Sequence, residues 1–296
     1  MEQQSPSIRL IVIDIDGTLL NPEQEITPRT RAAIKAAQDA GIVVTLATGR
    51  RYYSARPVAE DLGLEIPLIL CDGGMIVQHP AGDLLQAQLL SADIGQQAVD
   101  IMRRYHIQPV SQSIRGKYEE TRTGPQEYDS EWVINYFASF PYELIRLPYT
   151  ELCSSQSDLL RIVAFTSLEL AEEMSLEIAE LPCSWNVTHL GSYQSAELVV
   201  MPPNCTKASG VKALADRLAI PMEQVMAIGD NSNDIEMIQE VGWGVAMGQA
   251  LPRLKEVAHA HTASNAEDGV ALAIERYALL SERTSASNSF SRSTCL

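Results

Sequence analysis

Four short stretches of this chain carry side chains that could do chemistry together. Asp14-Ile15-Asp16-Gly17-Thr18-Leu19 follows one apolar run, and Gly229-Asp230-Asn231-Ser232-Asn233-Asp234 follows another. Asp14 and Asp16 fall on one side of an extended segment. Carboxylates that close repel each other unless a cation or a shared proton relieves them. Each pair therefore suits a cation site, with a solvated turn or a helix cap as the simpler alternative. Neither stretch is an EF-hand, because Leu19 and Ile235 stand where the loop needs Gly. Ala47-Thr48-Gly49-Arg50 offers a hydroxyl, a backbone amide and a guanidinium, a set that could hold a phosphoryl oxygen or simply end a strand. Lys207, in Asn204-Cys205-Thr206-Lys207, stands at a predicted helix start, where a cation opposes the macrodipole. It is either a surface lysine or a cation put there for a reason.

Positioning these residues is the task of alternating strands and helices. Ile8–Ile13 is β-branched and nearly continuous, which predicts a buried strand. Thr27-Pro28 predicts an N-cap and first turn, and Gly41 a helix end. A strand over 42–47, a helix over 52–62 and a strand over 67–71 follow. After about residue 196 the rhythm returns: strands over 197–201, 225–228 and 244–247, and helices over 208–218, 234–240, 252–258 and 270–280. Such alternation predicts an α/β fold, a parallel sheet covered on both faces, with ligand sites at the carboxyl ends of its strands. Between these halves lie longer helices (94–105, 128–140, 168–180), strands over 107–110, 160–165 and 185–189, and a polar loop over 115–126. The expected organisation is a discontinuous core (1–85 plus 191–281), an inserted α+β domain (86–190), and a Ser/Thr-rich tail (282–296) of disordered composition.

Bulk properties narrow the partners. With 296 residues, 46% of them hydrophobic, a sizeable core can be buried. A net charge of -16 repels nucleic-acid phosphates and anionic lipid, so neither is an expected partner. It repels a phosphorylated substrate too, so a phosphate site needs its own local cations. Five scattered cysteines, at 71, 153, 183, 205 and 295, form no CxxC pair. Zinc and a disulfide framework are thus unexpected, and a reducing cytosol fits. The N-terminus lacks an apolar signal region, and no run of 18 apolar residues occurs. The glycines from Gly242 to Gly248 have the wrong spacing and context for a dinucleotide fingerprint.

Taken together, DIDGT (14–18), TGR (48–50), TK (206–207) and GDNSND (229–234) resemble the haloacid dehalogenase-like superfamily. The match is to its Cof-like branch, which carries an α/β cap inserted after the third core strand. VAMGQA (245–250), Thr262, Asn265 and EDGV (267–270) match as well, and the resemblance spans roughly residues 8–280. Asp72-Gly73-Gly74 departs from it, since the third strand of the family ends in Asn-Gly-Ala. The tail beyond 281 is also outside the family pattern.

The resemblance implies a Rossmann-like core and a Mg²⁺-dependent phosphatase acting on small phosphorylated metabolites. It makes Asp14 the nucleophile of an aspartyl-phosphate route and Asp16 the general acid–base. It assigns Mg²⁺ to the Asp14 and Asp230 carboxylates and the Asp16 carbonyl, with Asp234 acting behind them through water or Lys207. Thr48, the Gly49 amide, Lys207 and Asn233 hold the phosphoryl group, and Arg50 either joins them or pairs on a helix surface. Arg115, Lys117 and Tyr118 in the inserted domain are candidates for contacting the leaving group. A phosphotransferase or phosphomutase would use the same aspartyl-phosphate. A non-catalytic metabolite-binding protein would have lost Asp14, Asp16 or Asp230, and all three are present.

Overall fold

The computed structural model describes residues 8–115, 118–138, 144–154, 158–190 and 195–279. Lys117, the Tyr118 side chain and the 282–296 tail lie outside the described residues. In chain order the elements are β1 (Leu10–Ile13), α1 (Pro28–Asp39), β2 (Val43–Leu46), α2 (Tyr52–Asp61), β3 (Pro67–Leu70), β4 (Met75–Gln78), β5 (Asp83–Ala87), α3 (Ala92–Arg104), β6 (Pro109–Arg115), β7 (Tyr118–Thr123), α4 (Glu131–Ala138) and β8 (Ile145–Arg146). They continue as β9 (Asp158–Thr166), α5 (Leu168–Ile178), β10 (Ser184–Leu190), β11 (Ser195–Met201), α6 (Lys207–Arg217), β12 (Val225–Gly229), α7 (Ile235–Glu240), β13 (Trp243–Ala246), α8 (Pro252–Val257), β14 (Ala260–His261) and α9 (Gly269–Ala273). The chain divides into two units, 1–85 with 206–296, and 86–205. No helix among the described residues is long and apolar enough to cross a membrane.

The first unit is built on a parallel sheet in the order β14-β13-β12-β1-β2. A parallel bridge from Ala47 to Ile69 extends it to β3. All four residues of β1 are buried although they alternate in direction, so the sheet is covered on both faces, as its continuous apolar sequence requires. Thr27 caps α1, its Oγ1 accepting the Thr30 N–H at 3.1 Å, and Pro28 takes the first turn.

The second unit is a six-stranded sheet, β10-β11-β9-β6-β7-β8, antiparallel except for β7–β8. One face (Ile162, Ala164, Leu198, Val200) packs with Val99 and Met102 of α3 and Met174 of α5. The other (Val163, Phe165, Val199) is covered by Trp132, Tyr136 and Phe137 of α4.

Two expectations from sequence are corrected here. The strand expected over 197–201 in the parallel sheet is β11, paired antiparallel with β9 and β10 in the second unit. The first unit resumes only at Thr206. A strand covered on both faces is apolar throughout in either kind of sheet, so the pattern of SAELVVM could not tell them apart. The polar loop expected over 115–126 contains β7, the partner of β6. Its charges hid the period-two signal: Thr121 and Thr123 are buried, while Glu120 and Arg122, pointing the other way, pair with each other.

Candidate active site

Asp14, Thr48, Asp72 and Asp230 each come directly after, or two residues after, strands β1, β2, β3 and β12. Because those strands run in parallel, all four emerge at one edge of the sheet. Backbone bonds tie the strand ends together: Asp14 N–H donates to Ile228 O at 3.0 Å, Thr48 N–H to Ile69 O at 3.0 Å, and Asp72 N–H to Thr48 O at 3.1 Å.

After β1 the chain makes a wide turn, with Leu19 N–H bonded to Asp14 O and Leu20 N–H to Ile15 O. Gly17 permits it. Its φ is +80°, and a Cβ there would stand 2.5 Å from Asp230 Oδ2. Thr18 Oγ1 donates to Asp230 Oδ1 at 2.7 Å. Gln249 Nε2 donates to Gly17 O, and Asn265 Nδ2 to Leu20 O at 2.8 Å. The turn is therefore pinned to β12 and to the loops beyond β13 and β14.

Lys207, the first residue of α6, reaches into this turn. It is 1% exposed, and its Nζ donates to Asp14 Oδ1 at 2.6 Å and to Asp234 Oδ1 at 2.7 Å. A buried ammonium is stable only when paired in this way. The other oxygen of Asp234 accepts the N–H groups of Asp230 and Asn231, both at 3.0 Å. Asp16 points elsewhere: Arg50 grips its carboxylate with two parallel bonds of 2.8 and 2.6 Å. Thr48 is buried, and its Oγ1 accepts the Arg50 N–H at 3.1 Å. Asn233 Nδ2 donates to Asp72 Oδ1 at 2.8 Å.

The electrostatics follow from burial and crowding. Burial pushes the Asp14 carboxyl well above the ordinary range; Lys207 opposes this, and Asp234, Asp230 and Asp16 add to it. Burial and then Asp234 raise Asp230 to about 6, against the hydrogen bonds from Thr18 and Gln249. Burial alone would strip Lys207 of its proton, but Asp14, Asp234 and Asp72 hold it above its usual range. One ammonium thus faces more negative charge than it can neutralise. Ligand oxygens of Asp14, Asp230 and Asp234 lie within 4.8 Å of one another. Clustered hard carboxylate oxygens fit a divalent metal ion of the oxygen-seeking kind.

Every candidate for the metal and phosphoryl positions therefore lies in the first unit. Asp14, Lys207, Asp230 and Asp234 form one cluster. Asn233 meets Asp72 beside it, and Thr48, Gly49 and Arg50 follow β2. Arg50, two residues ahead of α2, binds the Asp16 carboxylate and also donates to the Ser54 carbonyl of that helix at 3.2 Å. In the second unit, Arg115 pairs with Glu120 at 3.5 Å. Sequence reasoning missed Thr18 and Gln249 as partners of the Asp14–Asp230 pair. Their motifs were visible, but hydrogen bonds spanning more than 200 residues have no local signature.

Comparison with known proteins agrees with this architecture. The haloacid dehalogenase-like hydrolase family model matches residues 11–274. A 5-amino-6-(5-phospho-D-ribitylamino)uracil phosphatase of Bacillus subtilis is 32% identical over 94% of this chain and 99% of its own. An HMP-PP phosphatase of Serratia proteamaculans is 32% identical over 84% and 87%. A solved haloacid dehalogenase-like hydrolase from Bacteroides thetaiotaomicron superposes with a TM-score of 0.71 at 26% identity, covering 91% of this chain and 99% of its own. The chain belongs to the haloacid dehalogenase-like hydrolases, in their Cof-like branch with an inserted α/β cap.

Proposed function

We propose that this enzyme is a Mg²⁺-dependent phosphatase that hydrolyses phosphomonoesters of small metabolites through Asp14. The observation that carries this assignment is the buried Lys207–Asp14 contact of 2.6 Å, with Asp230 and Asp234 alongside. A carboxylate so placed is fixed in direction and desolvated, as a nucleophile needs to be.

In the first step an Asp14 oxygen attacks phosphorus, the bond to the leaving oxygen breaks, and Asp16 gives that oxygen a proton. In the second, Asp16 takes a proton from water, the water oxygen bonds to phosphorus, and the acyl-phosphate bond to Asp14 breaks. Arg50 orients Asp16 between these roles. Thr48, the Gly49 amide, Lys207 and Asn233 hold the phosphoryl oxygens. The Asp14 and Asp230 carboxylates and the Asp16 carbonyl would hold Mg²⁺, which would supply positive charge that Lys207 alone does not. Asp234 already accepts three hydrogen bonds, which suits it to positioning Lys207 and the Asp230 loop.

The substrate class we assign is a phosphorylated metabolite of about the size of 5-amino-6-(5-phospho-D-ribitylamino)uracil, the compound named for one relative. The cytosol is the compartment we assign; among the described residues Cys71, Cys153, Cys183 and Cys205 form no disulfide. A panel of phosphorylated metabolites, assayed with and without Mg²⁺ beside Asp14→Asn, tests this. Free phosphate that requires both Mg²⁺ and Asp14 is the expected result. A new phosphate ester formed on an added alcohol, in place of free phosphate, would make the enzyme a transferase.

A further inference from the structure

Asp72 has no part in the reaction steps above, yet it touches groups assigned to the phosphoryl. It is 3% exposed, on a left-handed backbone (φ 54°) that Asp tolerates better than most residues. Its Oδ1 accepts one N–H of the Asn233 amide at 2.8 Å. Its two oxygens lie 3.1 and 3.2 Å from where a Cβ on Gly49 would be, so the carboxylate rests against that glycine. Against the effect of burial, its charge joins those of Asp14 and Asp234 in keeping Lys207 protonated. One carboxylate thus touches or biases three of the groups that hold the anion.

Two effects follow. An amide with one N–H committed to Asp72 cannot rotate, so its second N–H has a single direction. A negative charge in contact with an anion cradle repels what the cradle holds, and burial keeps solvent and salt from screening it. We infer that Asp72 is a positioning residue that aims the Asn233 amide and loosens the cradle's hold on phosphate, so that product leaves readily. This rests on the phosphatase assignment above.

The test measures binding of inorganic phosphate, with Mg²⁺, by titration calorimetry to wild type, Asp72→Asn and Asp72→Ser, beside KM and kcat for the best substrate. Asp72→Asn keeps size and removes charge; Asp72→Ser is a second neutral variant should the first not fold. Phosphate is expected to bind roughly tenfold tighter to the neutral variants, with KM falling too. A folded neutral variant with unchanged or weaker phosphate affinity overturns the inference. So does a lowered melting temperature without any affinity change, which would make Asp72 a strut. If phosphate release by the wild type does not depend on Asp14, the phosphatase assignment fails first. Asp14-dependent release with unchanged phosphate affinity overturns the role of Asp72 alone.

Discussion

Lys207 joins Asp14 and Asp234 with no solvent between them. Removing one partner of a buried pair leaves the other charges uncompensated, a loss of about 3–5 kcal/mol. Lys207→Ala is therefore expected to lower unfolding free energy by roughly 3 kcal/mol in the absence of metal, with Mg²⁺ recovering part of it. Denaturant unfolding with and without Mg²⁺ checks this. Asp230 gives a pH dependence. Its carboxyl is raised from 3.8 to about 6 by burial and Asp234, so in that window the folded chain binds a proton that the unfolded chain does not. The metal-free contribution to stability is full below 3.8 and is lost as pH rises through about 6. Mg²⁺ needs the ionised form, so its apparent affinity should fall about tenfold per pH unit below that point. The melting-temperature gain from Mg²⁺ should be larger at neutral pH than in mild acid; equal gains would remove Asp230 from the metal site.

The elements impose a different constraint. The turn from Asp14 to Leu20 is held by Thr18, Gln249 and Asn265 and depends on Gly17 at φ +80°. Gly17→Ala puts a Cβ 2.5 Å from Asp230 Oδ2, which forces either the turn or the carboxylate to move. Mg²⁺ affinity and kcat/KM should each fall by on the order of a hundredfold, since misplacement of about 1 Å has that effect. Titration of Mg²⁺ and steady-state kinetics measure both. At this scale the sequence was informative where a local rule applied. Thr27-Pro28 marked the start of α1, and apolar runs marked β1 and β12. It was silent where partners were distant. For Arg50 the sequence leaves open a place among the phosphoryl-binding groups or a helix-surface pairing, and says nothing of Asp16, 34 positions away, which it binds.

The whole molecule carries a net charge of -16, so an anionic substrate is repelled at long range and gripped only by local cations. Salt screens the repulsion beyond about 10 Å. Between about 20 and about 200 mM salt, kcat/KM should rise several-fold at saturating Mg²⁺, the reverse of an electrostatically steered enzyme. A fall over that range would place a cationic field around the site. The two-unit organisation was also legible, because strand–helix alternation stops and resumes along the chain. The point of return was not, because β11 carries the continuous apolar signature of a parallel strand while pairing antiparallel. Asp72 shows how a departure from a motif becomes legible: the missing Asn draws attention to the position, and the buried contact with Asn233 gives it a physical meaning.

Turnover by this route passes through a covalent phosphoryl-enzyme on Asp14. The most direct measurement is acid quenching during turnover of a labelled phosphomonoester with Mg²⁺, followed by mass mapping of the labelled peptide. Label is expected on the peptide containing Asp14, none in Asp14→Asn, and the label is lost as free phosphate appears. Rapid phosphate release with no label on the chain, or full activity in Asp14→Asn, would contradict it.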